Sequence, residues 1–362
     1  MKILFIGKRF YTNRDALTEK YGRIYQLPYH WAKSGIDTKL WFIDYHSLNF
    51  IETQDKNLKI ISTPVKNGHV LSQYIKEQRQ QNKPDIIIAS GDCYIGLLGY
   101  RLAKKLNAKF VFDVYDKYDE FGAYFNFFGF NLYKYLLNSS DICLFASKAL
   151  AESLQKDVKK SIIVPNGIDT ELFKPMDKNN ARKYLGLDEK KIYIGYFGTL
   201  DIDRGIDDLL TAHSILLKEG CNYELLLAGK SRKDLNLERP MVNYLGNLPY
   251  KNVPIAMAAC DILTLPYRRS AYLDMASSCK IAEYSAMQIP LLATLTPNIE
   301  ANFSSLVSSL KNTLAKPNDT VDLAEKLRKQ LYLKKLPNIQ NKHSYNDIAK
   351  NTLSLLYDLR VN

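Results

Sequence analysis

The sequence predicts an α/β protein with two doubly wound, Rossmann-like domains. Short apolar runs alternate with helix-length stretches along the chain, which is the pattern of parallel strands connected by helices. The chain has 362 residues, whereas a single hydrophobic core stops growing at about 250–300 residues, so two domains are expected. The segment Val164–Asp169 (VPNGID) separates two such series and is the predicted junction. We therefore expect one domain over residues 1–168, a second over 169–342 and a terminal segment over 343–362.

The predicted strands are short, and several are apolar on both faces, as expected of strands inside a parallel sheet. They are Lys2–Ile6, Thr38–Ile43, Asp85–Ala89, Lys109–Val114, Ile142–Ala146, Ser161–Val164, Ile192–Phe197, Tyr223–Ala228, Val242–Leu245, Ile262–Leu265 and Pro290–Thr294. Helical patterns cover Tyr94–Leu106, Ile206–Glu219 and Tyr345–Leu359. Because ligands of open parallel sheets bind beyond the carboxyl ends of the strands, the loop after each strand is a candidate site.

Composition excludes several classes of protein. A hydrophobic fraction of 46% and a charged fraction of 24% are those of a folded chain rather than a disordered one. No apolar run reaches the ~18–20 residues of a membrane span, and the first residues lack the pattern of a signal peptide. Five cysteines without a CxxC pair argue against a disulfide scaffold or a zinc ribbon. We therefore expect a cytoplasmic protein.

The formal charge is +12, and it is concentrated in the first half of the chain. Residues 1–168 carry 24 Lys and Arg against 16 Asp and Glu, and the remainder carries 26 against 22. Such an excess serves solubility, a phosphate-bearing substrate, anionic lipid or nucleic acid, and composition alone leaves these alternatives open.

Two loops of the first half contain residues suited to ligand binding. The loop Gly7–Arg14 combines a glycine with cations at a strand end, which suits a phosphate or an ordinary basic surface loop. The fingerprint GxGxxG is absent there and after every other predicted strand, which argues against a nicotinamide or flavin cofactor. The loop Tyr115–Glu120 places a carboxylate, Asp116, where it can orient or deprotonate a hydroxyl, unless the loop is a solvated turn.

Two segments of the second half have the features of a diphosphate site. The loop Gly198–Gly205 leads from a strand to a helix and carries one cation, Arg204. In the segment Tyr272–Ala286, Lys280 and Glu283 are three residues apart and therefore lie on one helix face. A helix that begins near Ser277 would let its N-terminus and Lys280 hold phosphate while Glu283 accepts hydrogen bonds from a diol. The alternative is an intrahelical ion pair of little energetic weight.

Taken together and in this order, six segments resemble glycosyltransferase family 4, whose members have the GT-B fold. They are Asn166–Asp169 (NGID), Gly195–Gly198 (GYFG), Leu227–Gly229 (LAG), Leu245–Pro249 (LGNLP), Asp261–Pro266 (DILTLP) and Lys280–Tyr284 (KIAEY). The resemblance covers nearly the whole chain and is strongest over residues 140–300. It implies two Rossmann-like domains that face each other across a cleft, with a C-terminal helix that crosses back to the first domain.

The resemblance also implies an activity and a set of site residues. The activity is a retaining, metal-independent transfer of a sugar from a nucleotide-sugar to a glycan or lipid-linked acceptor, without a cofactor, in polysaccharide or glycolipid synthesis. Arg204 and Lys280 would face the diphosphate, Glu283 would bind the ribose, and Gly22 would let a loop approach the donor phosphates. The donor-binding set is completed by Gly198, Thr199, Gly246, Asn247 and Tyr284. On the acceptor side, the resemblance points to Tyr115 and Asp116.

The sequence departs from the family pattern at three positions. Met275 stands eight residues before Glu283, where the family commonly has a first glutamate, so that residue is missing or displaced to Asp274. Thr199 replaces an arginine directly after the glycine of the phosphate loop, and Tyr115 replaces an active-site histidine.

Three alternatives to a sugar transferase remain open. A nucleotide-sugar epimerase can share the fold, and a non-catalytic nucleotide-sugar or glycan-binding protein would explain the three departures. Nucleic-acid binding is disfavoured because no zinc motif, one-sided basic helix or RNP-like aromatic pattern is present.

The aromatic segment Tyr124–Tyr135, in the half of the chain with the larger charge excess, suggests a membrane contact. It could be a core helix, an acceptor-lining segment or a contact with the inner face of the plasma membrane.

Overall fold

The structure, a computed structural model, describes residues 1–11, 14–120, 124, 129–338 and 344–361. The chain divides into two compact units. The first comprises Met1–Gly167, Met275–Ser277 and His343–Asn362, and the second comprises Ile168–Asp274 and Ser278–Lys342.

The strands described in the first unit form a main sheet and a short hairpin. The strands are β1 (Lys2–Lys8), β2 (Phe10–Tyr11), β3 (Arg14–Asp15), β4 (Asp37–Asp44), β5 (Ile51–Asp55), β6 (Leu58–Pro64), β7 (Ile86–Ser90), β8 (Lys109–Val114), β9 (Ile142–Phe145) and β10 (Ser161–Ile163). The order in the main sheet is β10-β9-β8-β7-β1-β4-β6-β5, with β5 antiparallel to β6 and the other pairs parallel. The strand order reverses between β1 and β7, so the carboxyl ends of these two strands flank a site where ligands bind in such sheets.

Helices of the first unit pack on this sheet and on each other. They are α1 (Gly22–Lys33), α2 (His69–Gln78), α3 (Cys93–Leu106), α4 (Leu132–Ser139), α5 (Lys148–Leu154) and the terminal α14 (Tyr345–Val361). Helix α14 packs on α1, where the indole of Trp31 donates a 2.9 Å hydrogen bond to the carbonyl of Ala349. The ring of Tyr345 lies against Gly167, where an added Cβ would be 2.7 Å from it. The end of the chain is therefore part of the first unit's core.

The second unit has a parallel sheet with a similar reversal. Its described strands are β11 (Ile192–Phe197), β12 (Tyr223–Ala228), β13 (Val242–Tyr244), β14 (Ile262–Leu265) and β15 (Leu291–Ala293), in the order β13-β12-β11-β14-β15. Its helices are α6 (Lys178–Leu185), α7 (Ile206–Lys218), α8 (Val253–Ala258), α9 (Ala271–Met275), α10 (Cys279–Ala286), α11 (Pro297–Asn302), α12 (Ser304–Leu310) and α13 (Thr320–Leu333). The order reverses between β11 and β14, which places a second candidate site at their carboxyl ends.

The predicted fold class of two Rossmann-like α/β domains is confirmed. Strands β8, β11, β12 and β14 begin and end where the sequence predicts. Strand β5 was not predicted, because it is mostly exposed and polar and lies at the sheet edge. Strands β2, β3 and β6 were not predicted either. No described helix has the length and apolarity needed to cross a membrane.

The aromatic segment Tyr124–Tyr135 lies partly outside the described residues, at 125–128. Within its described part, Tyr133 is 1% exposed and belongs to the core, as the core-helix alternative expects, whereas Phe130 is 52% exposed.

Candidate active site

The second unit holds a lysine directly over Gly198, the glycine that follows strand β11. A Cβ added to Gly198 would lie 2.1 Å from Cε and 2.9 Å from Nζ of Lys280. A side chain at this position would displace the lysine, so glycine allows the lysine to lie here. The lysine amino group is therefore held at the carboxyl end of β11, next to the point where the strand order reverses.

Lys280 is also the second residue of α10, so it lies at the positive end of the helix dipole. Main-chain N–H groups of a first helical turn lack intrahelical acceptors and can bind an anion. Within the described part of the chain, Lys280 forms no ion pair with a carboxylate. The helix N-terminus and the lysine thus lie together as predicted, and the positive charge of Lys280 is available to an anionic ligand.

Glu283 follows one turn later on the same helix and is only 6% exposed. Its Oε1 accepts a 2.9 Å hydrogen bond from the hydroxyl of Tyr250. The ring of Tyr250 packs against Phe173, with centroids 5.4 Å apart, which holds the phenol in place. A buried carboxylate needs such donors. Sequence reasoning missed Tyr250, since nothing in the sequence links two residues 33 positions apart.

Tyr284 is fully buried beneath this site. Its hydroxyl oxygen accepts a 2.8 Å hydrogen bond from the main-chain N–H of Phe197 and lies 3.3 Å from the Phe197 carbonyl. Burial raises the pKa of Tyr284 well above its ordinary value, so the phenol stays protonated. Its geometry fixes the end of β11, just before Gly198, and this is a positioning role rather than direct contact with a ligand.

Arg204 lies in the loop before α7 and is oriented by Asp201. Its Nη1 donates to Asp201 Oδ2 at 2.6 Å, and its main-chain N–H donates to Oδ1 at 2.9 Å. Burial opposes the charge, but the phenols of Tyr196 and Tyr267 and the Asp201 carboxylate hold the pKa of Arg204 above its ordinary value. Among the described residues, Asp201 is the hydrogen-bond partner of its guanidinium, so the remaining N–H groups can serve a ligand.

The other residues predicted to bind the donor lie in neighbouring loops. The carbonyl of Thr199 accepts a 3.0 Å hydrogen bond from Tyr196. The carbonyl of Gly246 accepts from the main-chain N–H of Gly229 at 2.8 Å, and Asn247 is exposed. The loops after β11, β12 and β13 therefore adjoin, as a common ligand site at this sheet edge requires.

Two carboxylates at the start of α7 tie these loops together. Asp207 accepts two hydrogen bonds from Arg232, which follows β12, at 2.6 and 2.7 Å. Asp208 accepts two from Arg268, which follows β14, at 2.6 and 2.7 Å. The bond to Arg232 lowers the pKa of Asp207. Sequence reasoning missed both pairs, although adjacent acids at a helix start are a recognisable signal.

At the position where the family commonly has a first glutamate, the structure shows what Asp274 and Met275 contact. Asp274 is paired with Arg269, whose Nε donates to its Oδ2 at 2.8 Å. Met275, the last residue of α9, is grouped with the first unit rather than with the rest of its helix, and its carbonyl accepts a 2.5 Å hydrogen bond from the hydroxyl of Ser147.

In the first unit, Gly22 begins α1 with a positive φ of 72°. The phenol of Tyr11 packs directly on it, since an added Cβ would lie 1.3 Å from the Tyr11 hydroxyl. The Tyr11 ring also lies 5.4 Å from that of Tyr115. Tyr11 thus brings together the Gly22 loop and the loop after β8, two regions that the sequence predicts to be functional.

Tyr115 and Asp116 are each 9% exposed at the carboxyl end of β8. The Tyr115 hydroxyl donates to the carbonyl of Gly91 at 3.4 Å, and burial raises its pKa well above the ordinary value. Asp116 Oδ1 accepts from the main-chain N–H of Lys117 at 3.0 Å. Tyr115 is therefore a neutral hydrogen-bonding group, and Asp116 is a largely buried carboxylate beside it.

Behind this loop lies a buried ion pair that the sequence did not reveal. Arg23 and Asp113 are both 0% exposed, and Nη2 donates to Oδ1 at 2.6 Å. Ser90 donates to the other Asp113 oxygen at 2.6 Å, and Arg23 Nη1 donates to the carbonyl of Val164 at 2.6 Å. One guanidinium thus joins the start of α1, the end of β8 and the segment that leaves the first unit.

The interpretation of Gly7–Arg14 as a phosphate loop needs correction at Arg9. This residue is 6% exposed and donates to Asp44 at 2.9 Å and to both Asp15 oxygens at 2.9 and 2.8 Å. Its charge is compensated inside the unit and is not available to a phosphate. Residues 12 and 13 of the loop lie outside the described chain.

Comparison with protein families gives one match for each half of the chain. The model described as "Glycosyl transferases group 1" matches residues 191–332, and that described as "Glycosyltransferase Family 4" matches residues 49–172. The first match contains the Gly198 loop and α10, and the second contains the loop after β8.

A curated relative is the capsular polysaccharide biosynthesis glycosyltransferase CapM of Staphylococcus aureus. It is 23% identical over 194 residues, which cover 50% of this chain and 48% of the relative. The match therefore spans about half the length of CapM.

Solved structures match over nearly the full length. Sucrose-phosphate synthase from Thermosynechococcus elongatus has a TM-score of 0.73 at 14% identity and covers 99% of both chains. Alr3699/HepE from Anabaena, solved in complex with UDP, has a TM-score of 0.70 at 14% identity and covers 99% of this chain and 100% of that one. These likenesses concern the fold, which is GT-B. The two family matches, which together span residues 49–172 and 191–332, show that the chain belongs to the group 1, or family 4, glycosyltransferases, a family of enzymes.

Proposed function

We propose that the protein is a retaining, metal-independent glycosyltransferase that moves a sugar from a nucleotide-sugar to a glycan or lipid-linked acceptor. The observation that carries this proposal is the Lys280 amino group, which lies over Gly198 at the start of α10. This combination suits the diphosphate of a nucleotide-sugar. The proposed role is synthesis of a cell-surface polysaccharide or glycolipid in the cytoplasm, at the inner membrane face if the acceptor is a lipid. The CapM match supports that role.

The second unit would bind the donor. Its diphosphate would lie against Lys280 and the free edge of Arg204, with the ribose diol donating to Glu283. The UDP complex of Alr3699/HepE, a protein of the same fold, supports a nucleotide ligand. As the glycosidic bond breaks, negative charge grows on the departing diphosphate, and fixed cations stabilise it without a metal ion.

The first unit would bind the acceptor. Asp116 is the carboxylate suited to accept a hydrogen bond from an acceptor hydroxyl, and neutral Tyr115 can orient a sugar hydroxyl in place of the family's histidine. Retention would follow from attack on the face that the diphosphate leaves. The departing phosphate oxygen would take the acceptor proton, so no protein nucleophile is needed.

A donor screen tests the proposal most directly. Thermal-shift measurements with UDP-, GDP-, ADP- and dTDP-sugars should identify a stabilising donor, followed by assays of transfer or slow hydrolysis. Lys280→Gln should lower turnover about 100-fold, the usual effect of losing one transition-state donor. Lys183→Gln, at an exposed lysine of the same unit, is the control and should retain full activity.

Glu283→Gln tests the donor site separately from turnover. Loss of a charge-assisted hydrogen bond of about 1.5–3 kcal/mol should weaken donor binding at least tenfold. Equal activity of the Lys280→Gln and Lys183→Gln variants would contradict the placement of the site. Donor binding without transfer or hydrolysis would favour the non-catalytic alternative, and conversion of the donor to an isomer without acceptor would favour an epimerase.

A further inference from the structure

Helix α2 buries polar side chains and exposes apolar ones. Gln73 and Glu77 are 3% and 2% exposed, and Lys39 of β4 donates to both Glu77 oxygens at 3.0 and 3.1 Å. Gln73 also donates to Glu77, at 2.5 Å. The contact of this helix with the sheet is therefore largely a polar network. Two apolar residues are partly buried beside it, Val70 and Tyr74.

The outer face of α2 carries Leu71, 63% exposed, and Ile75, 37% exposed, one turn apart. A residue of the loop before β5 contacts the start of this helix. The ring of Phe50 stacks on His69 at the start of α2, with centroids 6.3 Å apart. We call the α2 surface the set of exposed apolar residues Leu48, Phe50, Val65, Leu71 and Ile75.

Along α2 and the turn before it, the exposed charged side chains are cations. Between residues 65 and 80 the only acidic residue is Glu77, which is buried. Lys66, Lys76 and Arg79 form no ion pairs within the described part of the chain. A cavity of about 490 Å³ on the helix is lined by Ser72, Ile75, Lys76, Arg79 and Gln80. Apolar and cationic groups thus lie side by side, with a recess for an anionic group between them.

We infer that the α2 surface docks on an anionic lipid bilayer. Leu71 and Ile75 would enter the headgroup region, and Lys76 and Arg79 would bind lipid phosphates, the arrangement of an interfacial amphipathic helix. A second copy of the chain fits less well, because a two-fold contact through this surface would bring like charges together. The inference rests on the proposed function, since docking would bring the first unit to a lipid-linked acceptor.

Flotation with phosphatidylglycerol and phosphatidylcholine vesicles, at low and high salt, tests the inference. The unsubstituted protein should bind the anionic vesicles more tightly. Lys76→Gln with Arg79→Gln should weaken that binding about 25-fold, because each cation contributes about fivefold near an anionic surface. Leu71→Gln with Ile75→Gln should weaken it about tenfold on both vesicle types, since it removes apolar area that the bilayer would cover.

A matched control is Val321→Gln with Tyr332→Gln on α13 of the second unit, where both side chains are exposed, at 68% and 86%. This variant should bind vesicles like the unsubstituted protein. Equal binding of the Leu71/Ile75 variant and the control would overturn the inference. So would a dimer that the same variant dissociates in the absence of lipid.

Donor binding measured without vesicles separates the two proposals. The α2 variants should bind the nucleotide-sugar like the unsubstituted protein. Loss of vesicle binding alone would therefore concern the docking surface, whereas absence of donor binding in every protein would refute the proposed function.

Discussion

Substituting Arg23 with methionine should destabilise the first unit, and the size of the loss can be worked out from the buried contacts of Arg23. The Arg23 guanidinium and the Asp113 carboxylate are completely buried and form a 2.6 Å ion pair. Methionine keeps much of the side-chain volume but leaves the carboxylate with only the Ser90 hydroxyl among its described side-chain partners. It also leaves the carbonyl of Val164 without its guanidinium donor.

The expected loss is at the lower end of the range for a broken buried pair. Removing one partner of such a pair costs about 3–5 kcal/mol. However, Arg23 Nε is itself buried without a hydrogen-bond partner in the described structure, and methionine removes that unsatisfied group. Removing this unsatisfied group should restore about 1 kcal/mol or more of the free energy of unfolding. We therefore expect Arg23→Met to lower the free energy of unfolding by about 3 kcal/mol.

Tryptophan fluorescence measures this loss in the right unit. The chain has two tryptophans, Trp31 and Trp41, and both are fully buried in the first unit. Urea unfolding followed by their emission therefore reports that unit alone. Arg101→Met, at an exposed arginine, is the matched control and should change the free energy of unfolding by less than about 0.5 kcal/mol.

A double variant distinguishes loss of the ion pair from loss of packing, because the two explanations predict opposite changes in stability relative to Arg23→Met. Adding Asp113→Asn to Arg23→Met removes the uncompensated charge, so the double variant should be more stable than Arg23→Met alone. A double variant less stable than the single one would refute the reasoning. A loss below about 1 kcal/mol for Arg23→Met would refute it as well.

Three further predictions concern the second unit. Burial lowers the pKa of His213. Below pH ~6.5 the unfolded chain therefore takes up a proton that the folded unit does not, and the free energy of unfolding falls. His213→Gln should flatten this decline, measured by calorimetry from pH 7.5 to 5.5. Tyr250→Phe removes the hydrogen bond to Glu283 and should weaken donor binding about tenfold in titration calorimetry with little change in kcat; an unchanged dissociation constant would argue against this. Asp208→Asn breaks the paired contact with Arg268 and should cost about 1–2 kcal/mol in the unfolding of the second unit, which calorimetry would contradict if the transition did not move.

The parts of the fold that the sequence predicted are those governed by local pattern. Strand β11, with five of its six residues buried, is an apolar run that no helix period explains. Strand β5 escaped prediction because it is an edge strand with polar, exposed residues, and its pairing with β6 is antiparallel in an otherwise parallel sheet. Its strand character comes from tertiary pairing rather than from its own side chains.

In the candidate site, too, local features could be predicted and contacts between distant residues could not. Lys280 and Glu283 could be placed on one helix face because a spacing of three residues is a local property. The hydrogen bond between Tyr250 and Glu283, and the packing of Tyr11 on Gly22, join positions that only the folded chain brings together. Sequence reasoning therefore identified the groups that would touch a ligand more readily than the groups that hold them.

The net charge of the chain overstates how many cations are available to a ligand, because several arginines form ion pairs within their own unit. Arg9, Arg23, Arg232 and Arg268 each bind a carboxylate of their own unit, so their charges stabilise strand-end loops rather than attract a ligand. Lys280, by contrast, sits at a glycine and a helix start with no described carboxylate partner. A lysine without a counter-ion at such a position is costly to the free protein, because its neighbours already carry the positive end of a helix dipole. An anionic ligand would relieve that cost, so binding energy would concentrate at this residue rather than follow the net charge.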